Sequence, residues 1–211
     1  MRNQDGLLEG YRRFRAERFA GQADQYRALA RGQTPATMVI GCADSRVDPA
    51  TIFSAGPGQL YVVRNVAAVV PPCEETGHYH GTSAAIEYAV GVLKVSNIVV
   101  LGHGLCGGVA AAFAVADKQP VGCFVGPWVA LVANICGDLK GLVDTDRPEV
   151  LQKAAEHAVV RHSLENLMSF PFVAEAVNDG RLELFGAWFS IAEGELQWLD
   201  RETGAFERIP D

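Results

Sequence analysis

Apolar positions along the chain follow two rhythms. Positions 37–40, 59–64 and 97–102 are short apolar runs without alternation, each bounded by Gly, Pro or polar clusters. Runs of that length predict strands buried on both faces. Two later runs, 182–185 and 195–199, predict further strands, the second entered through a Glu193-Gly194 turn. Between the runs the spacing is helical. Thr82-Ser83 is placed to cap a helix over 84–94, and Cys106-Gly107-Gly108 opens one over 109–116. Asp146, Pro148 and Glu149 start a helix reaching about Met168, and 171–177 is a short helix stopped by Asn178-Asp179-Gly180. Strands alternating with helices in this way predict an α/β fold with a mainly parallel central sheet flanked by helices on both faces.

Positions 7–30 differ from the rest. They are rich in Arg, Glu, Gln and Ala, and their sparse apolar stripe includes Tyr11, Phe14, Phe19 and Tyr26. One or two helices are expected, but the stripe is too thin for a core helix. Residues 1–31 therefore read as a helical arm that packs on a partner subunit, ended by Gly32-Gln33-Thr34-Pro35. Two stretches, 95–116 and 119–137, contain no charged residue. Four glycines interrupt the first, and Pro120 and Pro127 interrupt the second, so both are expected in a buried core rather than a membrane. With no repeat or linker, 1–211 reads as a single α/β domain.

Composition narrows the function. Eighteen Lys and Arg against 25 Asp and Glu give a net charge of −7, and 49% hydrophobic residues exclude a disordered chain. An acidic chain lacks the basic stripe of a nucleic-acid binder. Residues 1–6 contain no apolar core of a signal peptide, and five cysteines is an odd number. Together these predict a reducing, cytoplasmic setting with thiols put to chemical use.

The chemistry concentrates in two turns that each follow a predicted strand, Gly41-Cys42-Ala43-Asp44-Ser45-Arg46 and Gly102-His103-Gly104-Leu105-Cys106-Gly107-Gly108. In an open parallel sheet, ligands bind beyond the carboxyl ends of the strands. Cys42, His103 and Cys106 make a two-thiolate, one-imidazole set suited to zinc, with a fourth position left for water. Asp44 lies close enough in sequence to reach the metal or its water, and Arg46 is placed to hold Asp44 by paired hydrogen bonds. Taken singly, the cysteines could be buried hydrophobes and Asp44–Arg46 a surface ion pair. The second turn also fits G-x-G-x-x-G, a dinucleotide signature that needs a further strand about 20 residues on. His78, Tyr79 and His80 read as loop residues, with a proton-shuttling histidine among them left open. His157 and His162 read as structural, Cys73, Cys123 and Cys136 as plain thiols, and Trp128, Trp188 and Trp198 as core or interface.

On these residues the chain resembles the β-class carbonic anhydrases over about 32–196. The resemblance rests on Cys42-x-Asp44-Ser45-Arg46, Val62-Val63-Arg64-Asn65-Val66, the segment from Thr82 to Tyr88, and His103-x-x-Cys106-Gly107-Gly108, while 117–147 matches poorly. It implies one Zn2+ per chain on Cys42, His103 and Cys106. It also implies a catalytic dyad of Asp44 and Arg46, and reversible hydration of CO2 to bicarbonate and a proton by attack of zinc-bound hydroxide. Gln33 matches the residue with which plant-type members orient substrate from the adjoining subunit. Val66 and Tyr88 match the apolar wall of the pocket, and Tyr61 stands where those members have Phe. A dimer is implied as the smallest active unit. Hydrolysis of carbonyl sulfide or carbon disulfide by the same centre stays open. One branch of the family has a non-catalytic bicarbonate site built from Trp, Arg and Tyr. Here Arg64 remains, but Val39 and Phe189 stand at the other two positions, so an open site with Asp44 on Arg46 is expected. Two thiolates offset the charge of the metal, so activity is expected to climb on the alkaline side of neutrality.

Overall fold

In the computed structural model, residues 3–76, 80–143 and 146–210 are described. The chain divides into two compact units, Met1–Thr34 and Pro35–Asp211. The first holds helix α1 (Asn3–Arg13), a π-helical segment (Phe14–Phe19) and helix α2 (Ala23–Leu29). Its aromatic stripe folds on itself: Tyr26 lies 5.7 Å from Phe14 and 5.3 Å from Phe19, ring centre to ring centre. Leu7 and Tyr11 stay 73% and 59% exposed, as a stripe too thin to form a core must.

The second unit is built on six strands: β1 (Thr37–Cys42), β2 (Leu60–Asn65), β3 (Asn97–His103), β4 (Glu183–Phe189), β5 (Leu196–Leu199) and β6 (Phe206–Arg208). Their order is β2-β1-β3-β4-β5-β6. The pairs β2-β1, β1-β3 and β3-β4 are parallel, and β5 and β6 add antiparallel to the edge. Six α-helices accompany the described strands: α3 (Pro49–Ile52), α4 (Gly81–Glu87), α5 (Gly107–Ala116), α6 (Val125–Leu139), α7 (Pro148–Leu167) and α8 (Pro171–Asn178), with a 3-10 turn at Val66–Ala68 and a π-helical segment at Tyr88–Leu93 that continues α4.

Alternation along the strands divides the core. Met38, Ile40, Ile98, Val100 and Leu184 pack under Ile86, Leu167 and Val173 from α4, α7 and α8. Val39, Val99, Leu101 and Ala187 point to the other face, where Ile52, Phe53 and Trp198 pack against them. That second face is thinly covered. An apolar trough of about 380 Å³, lined in part by Val39, Leu60, Val99 and Trp198, lies open on it. Helical cover on this face comes from the short α3, through Ile52. A third cluster, beyond the strand ends, joins Cys42 and Cys106 to Val109, Val132, Cys136 and Val159.

Several local expectations are corrected. Helix α4 begins at Gly81, with His80 at its N-cap and no side-chain cap. Thr82 does not cap it; Thr82 is buried and its hydroxyl accepts a hydrogen bond from Asn65 Nδ2. Helix α6 occupies the second uncharged stretch and buries Val129, Val132, Ala133 and Cys136, yet Phe124 before it is 85% exposed. The short α3 was not foreseen, although Asp48 caps it by accepting from Thr51 N and Oγ1 at 2.9 and 2.8 Å. Among the described residues, no helix is long and apolar enough to cross a membrane.

Candidate metal centre

Strands β1 and β3 are parallel neighbours, with Gly41 beside Leu101, so Cys42 and His103 end at the same edge of the sheet. Cys106 follows three residues later as the N-cap of α5, after Leu105 has turned the chain with a left-handed φ of 57°. The glycines of this turn serve close packing. A Cβ on Gly102 would meet Val160 Cγ2 at 2.6 Å, and one on Gly108 would meet Val66 Cγ1 at 2.7 Å. The dinucleotide reading fails on topology, since α5 leads into another helix and the next strand, β4, begins only at Glu183.

All three candidate ligands are buried, and their ligand atoms lie within 4.8 Å of one another. The two sulfurs are 4.0 Å apart and unbridged. Two sulfurs on a tetrahedral zinc, each at ~2.3 Å, would be about 3.8 Å apart. His103 Nδ1 lies 2.8 Å from Gly104 O, which makes Nδ1 the protonated nitrogen and leaves the lone pair on Nε2. That Nε2 is buried without a partner, an arrangement that costs ~1–3 kcal/mol unless something binds it. The residues thus fit a thiophilic dication. Hydrogen bonding from Cys106 pulls the Cys42 thiol down, against the effect of burial, while the same bond and burial push Cys106 up. One thiolate is already favoured in the pocket.

Asp44 stands two residues beyond Cys42. Its Oδ1 accepts from Arg46 N and Nε, both at 2.9 Å, and its Oδ2 from Arg46 Nη2 at 2.7 Å. These bonds hold its carboxyl well below the usual carboxylate range. Arg46 Nη2 also donates to Leu105 O at 3.2 Å, tying the dyad to the second turn. Arg64 does not stand free beside this loop. Its Nε donates to Cys42 O at 2.7 Å, its Nη2 to Asp44 O, and its Nη1 lies 3.8 Å from Asp48. Val39 is fully buried, and Phe189 pairs with His103 across the sheet.

Of the expected pocket residues in the second unit, Val66 lies beside the centre and Tyr61 does not. Val66 lies near the centre, next to Asn65, whose strand register is Cys42, and it touches Gly108. Tyr61 and Tyr88 lie together, rings 6.0 Å apart, but Tyr61 pairs with Met38, four residues and about 13 Å along β1 from Cys42. Gln33 is exposed in the first unit. His78 and Tyr79 lie outside the described residues, and His80 is exposed. His162 lies 3.6 Å from Glu165, and His157 stacks on Phe206 at 4.1 Å. Cys73, Cys123 and Cys136 are free and do not join the metal cluster.

One group near the centre escaped the sequence reading. Glu156 of α7 is only 3% exposed, and its carboxylate accepts from Cys106 N at 2.9 Å, Gln152 Nε2 at 2.9 Å and Trp188 Nε1 at 3.1 Å. Trp188 is therefore a hydrogen-bond donor to this network as well as core filling. The available signal was a single Glu among Ala and Val on a helix, with Gln four residues earlier on the same face.

Known proteins share this arrangement of strands and turns. A family profile described as carbonic anhydrase matches residues 37–196. Beta carbonic anhydrase 3 of Arabidopsis thaliana is 37% identical over 205 residues, covering 93% of this chain and 78% of that protein. The chloroplastic beta carbonic anhydrase 5 of the same plant is 33% identical, covering 90% of this chain and 62% of that protein. Among solved structures, the β-carbonic anhydrase CcaA superposes with a TM-score of 0.90 at 29% identity, covering 98% of this chain and 99% of its own. A tetrameric β-carbonic anhydrase of Sordaria macrospora gives 0.82 at 29% identity, with 94% and 98% covered.

Proposed function

The chain belongs to the β-class carbonic anhydrases, and from that premise we propose that Cys42, His103 and Cys106 hold its zinc while Asp44, aimed by Arg46, governs the proton of the reacting water. The activity is the zinc-dependent, reversible hydration of CO2 to bicarbonate and a proton. Bound zinc supplies Lewis acidity, lowering the pKa of water from about 15.7 toward neutrality. The chain's own groups do the rest. Ionised Asp44 accepts a hydrogen bond from the reacting water and turns its lone pair toward the carbon of CO2. Arg46 fixes the plane of that carboxylate through two parallel N–H bonds. The substrate is small and uncharged, so an apolar wall with one N–H donor is enough to hold it. Val66 supplies wall from the same chain, and Gln33, Tyr61 and Tyr88 complete the pocket across a subunit interface.

That last assignment makes the protein a homo-oligomer, with a dimer as the smallest active unit and the arm of residues 1–31 packed on the partner. Two observations support it: the open apolar trough on the second sheet face and the separation of Tyr61 from Cys42. A reducing, cytoplasmic setting is proposed because both sulfur ligands must stay reduced and unbridged. The observation that carries the metal assignment is the buried, partnerless Nε2 of His103 in a cluster with two unbridged sulfurs. Cys42→Ala, His103→Ala and Cys106→Ala are each expected to lose zinc and CO2 hydration, measured by elemental analysis and stopped-flow assay. Full zinc occupancy with full activity in any one of them overturns the ligand set.

A further inference from the structure

The backbone of Cys106 is held at both of its polar groups by one face of α7. Its N–H donates to Glu156 Oε1 at 2.9 Å, and its carbonyl accepts from Gln152 Nε2 at 3.1 Å. Gln152 Nε2 also donates to Glu156 Oε1 at 2.9 Å, which closes a ring of hydrogen bonds around a single peptide residue. Trp188 Nε1 fixes the remaining carboxylate oxygen at 3.1 Å. Glu156 therefore meets three N–H donors with no acceptor among them, an environment only a carboxylate satisfies completely. A glutamine there could accept at one end alone, and its amide N–H would face a donor at the other.

The position of this ring matters because the residue before Cys106 is strained. Leu105 holds a left-handed φ of 57°, a conformation disfavoured for a branched side chain, and the direction of the Cys106 side chain depends on the peptide that follows it. We propose that Glu156, supported by Gln152, is a positioning residue for the metal centre: it locks the Cys106 peptide so that Sγ meets the ion at a fixed distance and angle from His103 and Cys42. This rests on the zinc assignment above and adds to it a residue 50 positions away in sequence. The carboxylate is not one of the clustered ligand groups, and it acts through the backbone of Cys106.

The test uses Glu156→Gln and the milder Gln152→Met, each compared with the unmutated protein. Zinc affinity is read by competition with a chromogenic chelator, and the cobalt(II)-loaded form is read by its thiolate-to-metal charge-transfer band. Glu156→Gln is expected to bind zinc about 10- to 100-fold more weakly, with a shifted or weakened cobalt band. Gln152→Met is expected to move both readouts the same way by less, and it decides the matter if Glu156→Gln does not fold. A role confined to fold stability would lower the unfolding temperature and leave the affinity and the cobalt band of the folded protein unchanged. Zinc affinity within twofold of the parent, together with a superimposable cobalt band, overturns the proposal. Failure of the unmutated protein to bind one zinc per chain would instead overturn the ligand assignment, so the two failures are distinguishable.

Discussion

Arg46→Ala separates the two ways in which an arginine can serve a catalytic carboxylate. The substitution removes the Nε and Nη2 bonds to Asp44 and the Nη2 bond to Leu105 O. The backbone N–H of residue 46, which donates to Asp44 Oδ1 at 2.9 Å, survives. Asp44 thus loses a paired, charged clamp and keeps one pivot about which its carboxylate turns. Its pKa rises from far below the ordinary range toward the usual value near 4. A carboxyl with a pKa near 4 is still ionised from pH 6 to 9, so protonation cannot be the source of a loss there. Misdirection can. Losing one positioned transition-state group lowers turnover by roughly 10²–10³, or about 3–4 kcal/mol of barrier. The assay is stopped-flow CO2 hydration from pH 6 to 9, and the expected result is a lower plateau with the alkaline rise unmoved. Arg46→Lys keeps the charge but not the two parallel N–H bonds, and is expected to stay well below the parent. Parental turnover in Arg46→Ala, or a rate loss that tracks a titration above pH 6, would refute the assignment.

Two further outcomes follow from buried groups. Burial, with Lys153 and Arg161 nearby, pulls His157 down to about 4, so the folded protein keeps this ring neutral while the unfolded chain protonates it below about 6.5. The stability linked to His157 is complete above that pH and drains away toward pH 4, by up to about 3 kcal/mol. His157→Phe, which retains the stack on Phe206, should unfold in urea with a visibly shallower loss between pH 7 and 5; a parallel decline refutes it. Bicarbonate inhibition of CO2 hydration should be hyperbolic, because Arg64 already donates to two main-chain carbonyls and Val39 and Phe189 offer no donor; a sigmoidal curve would show a second anion site.

The strand ends and their motifs were legible because each strand is a short apolar run with one face for each core, and the chemistry follows it without a gap. The ligand triad could be read from sequence for that reason. Helix α6 was not, and Pro127 is the cause. It looks like a breaker, but it occupies the third residue of the helix, in the first turn, where the backbone N–H has no helical partner to lose. Strand β6 spans three residues, too few to show a period. Thr82 has the chemistry of a cap, and only the fold reveals that Asn65 engages its hydroxyl. Glu156 was invisible for a different reason. Its three donors come from its own helix, from a turn 50 residues away and from a strand 32 residues away, and no local pattern encodes such a convergence. The pocket roles proposed for Tyr61 and Tyr88 meet the same limit, since they require a second chain.

The centre is set in two stages that rest on different physics. Parallel pairing of β1 with β3 brings Cys42 and His103 to one edge, but strand register fixes only which residues meet, to within the spacing of a pleat. The angles come from side chains that take hold of main-chain groups in the two turns. Arg64 holds the carbonyls of Cys42 and Asp44, Arg46 holds the carbonyl of Leu105, and Glu156 holds the N–H of Cys106. The cations take the carbonyls and the anion takes the N–H, so each charge offsets the dipole it grips. Arg46 belongs to both stages, because it aims Asp44 and anchors the turn that carries Cys106. A substitution at Arg46 therefore disturbs the metal ligands as well as the proton acceptor, whereas one at Glu156 reaches only the ligand turn. That asymmetry is why the test of Arg46 reads turnover per bound zinc across the pH range, whereas zinc affinity by itself decides the test of Glu156.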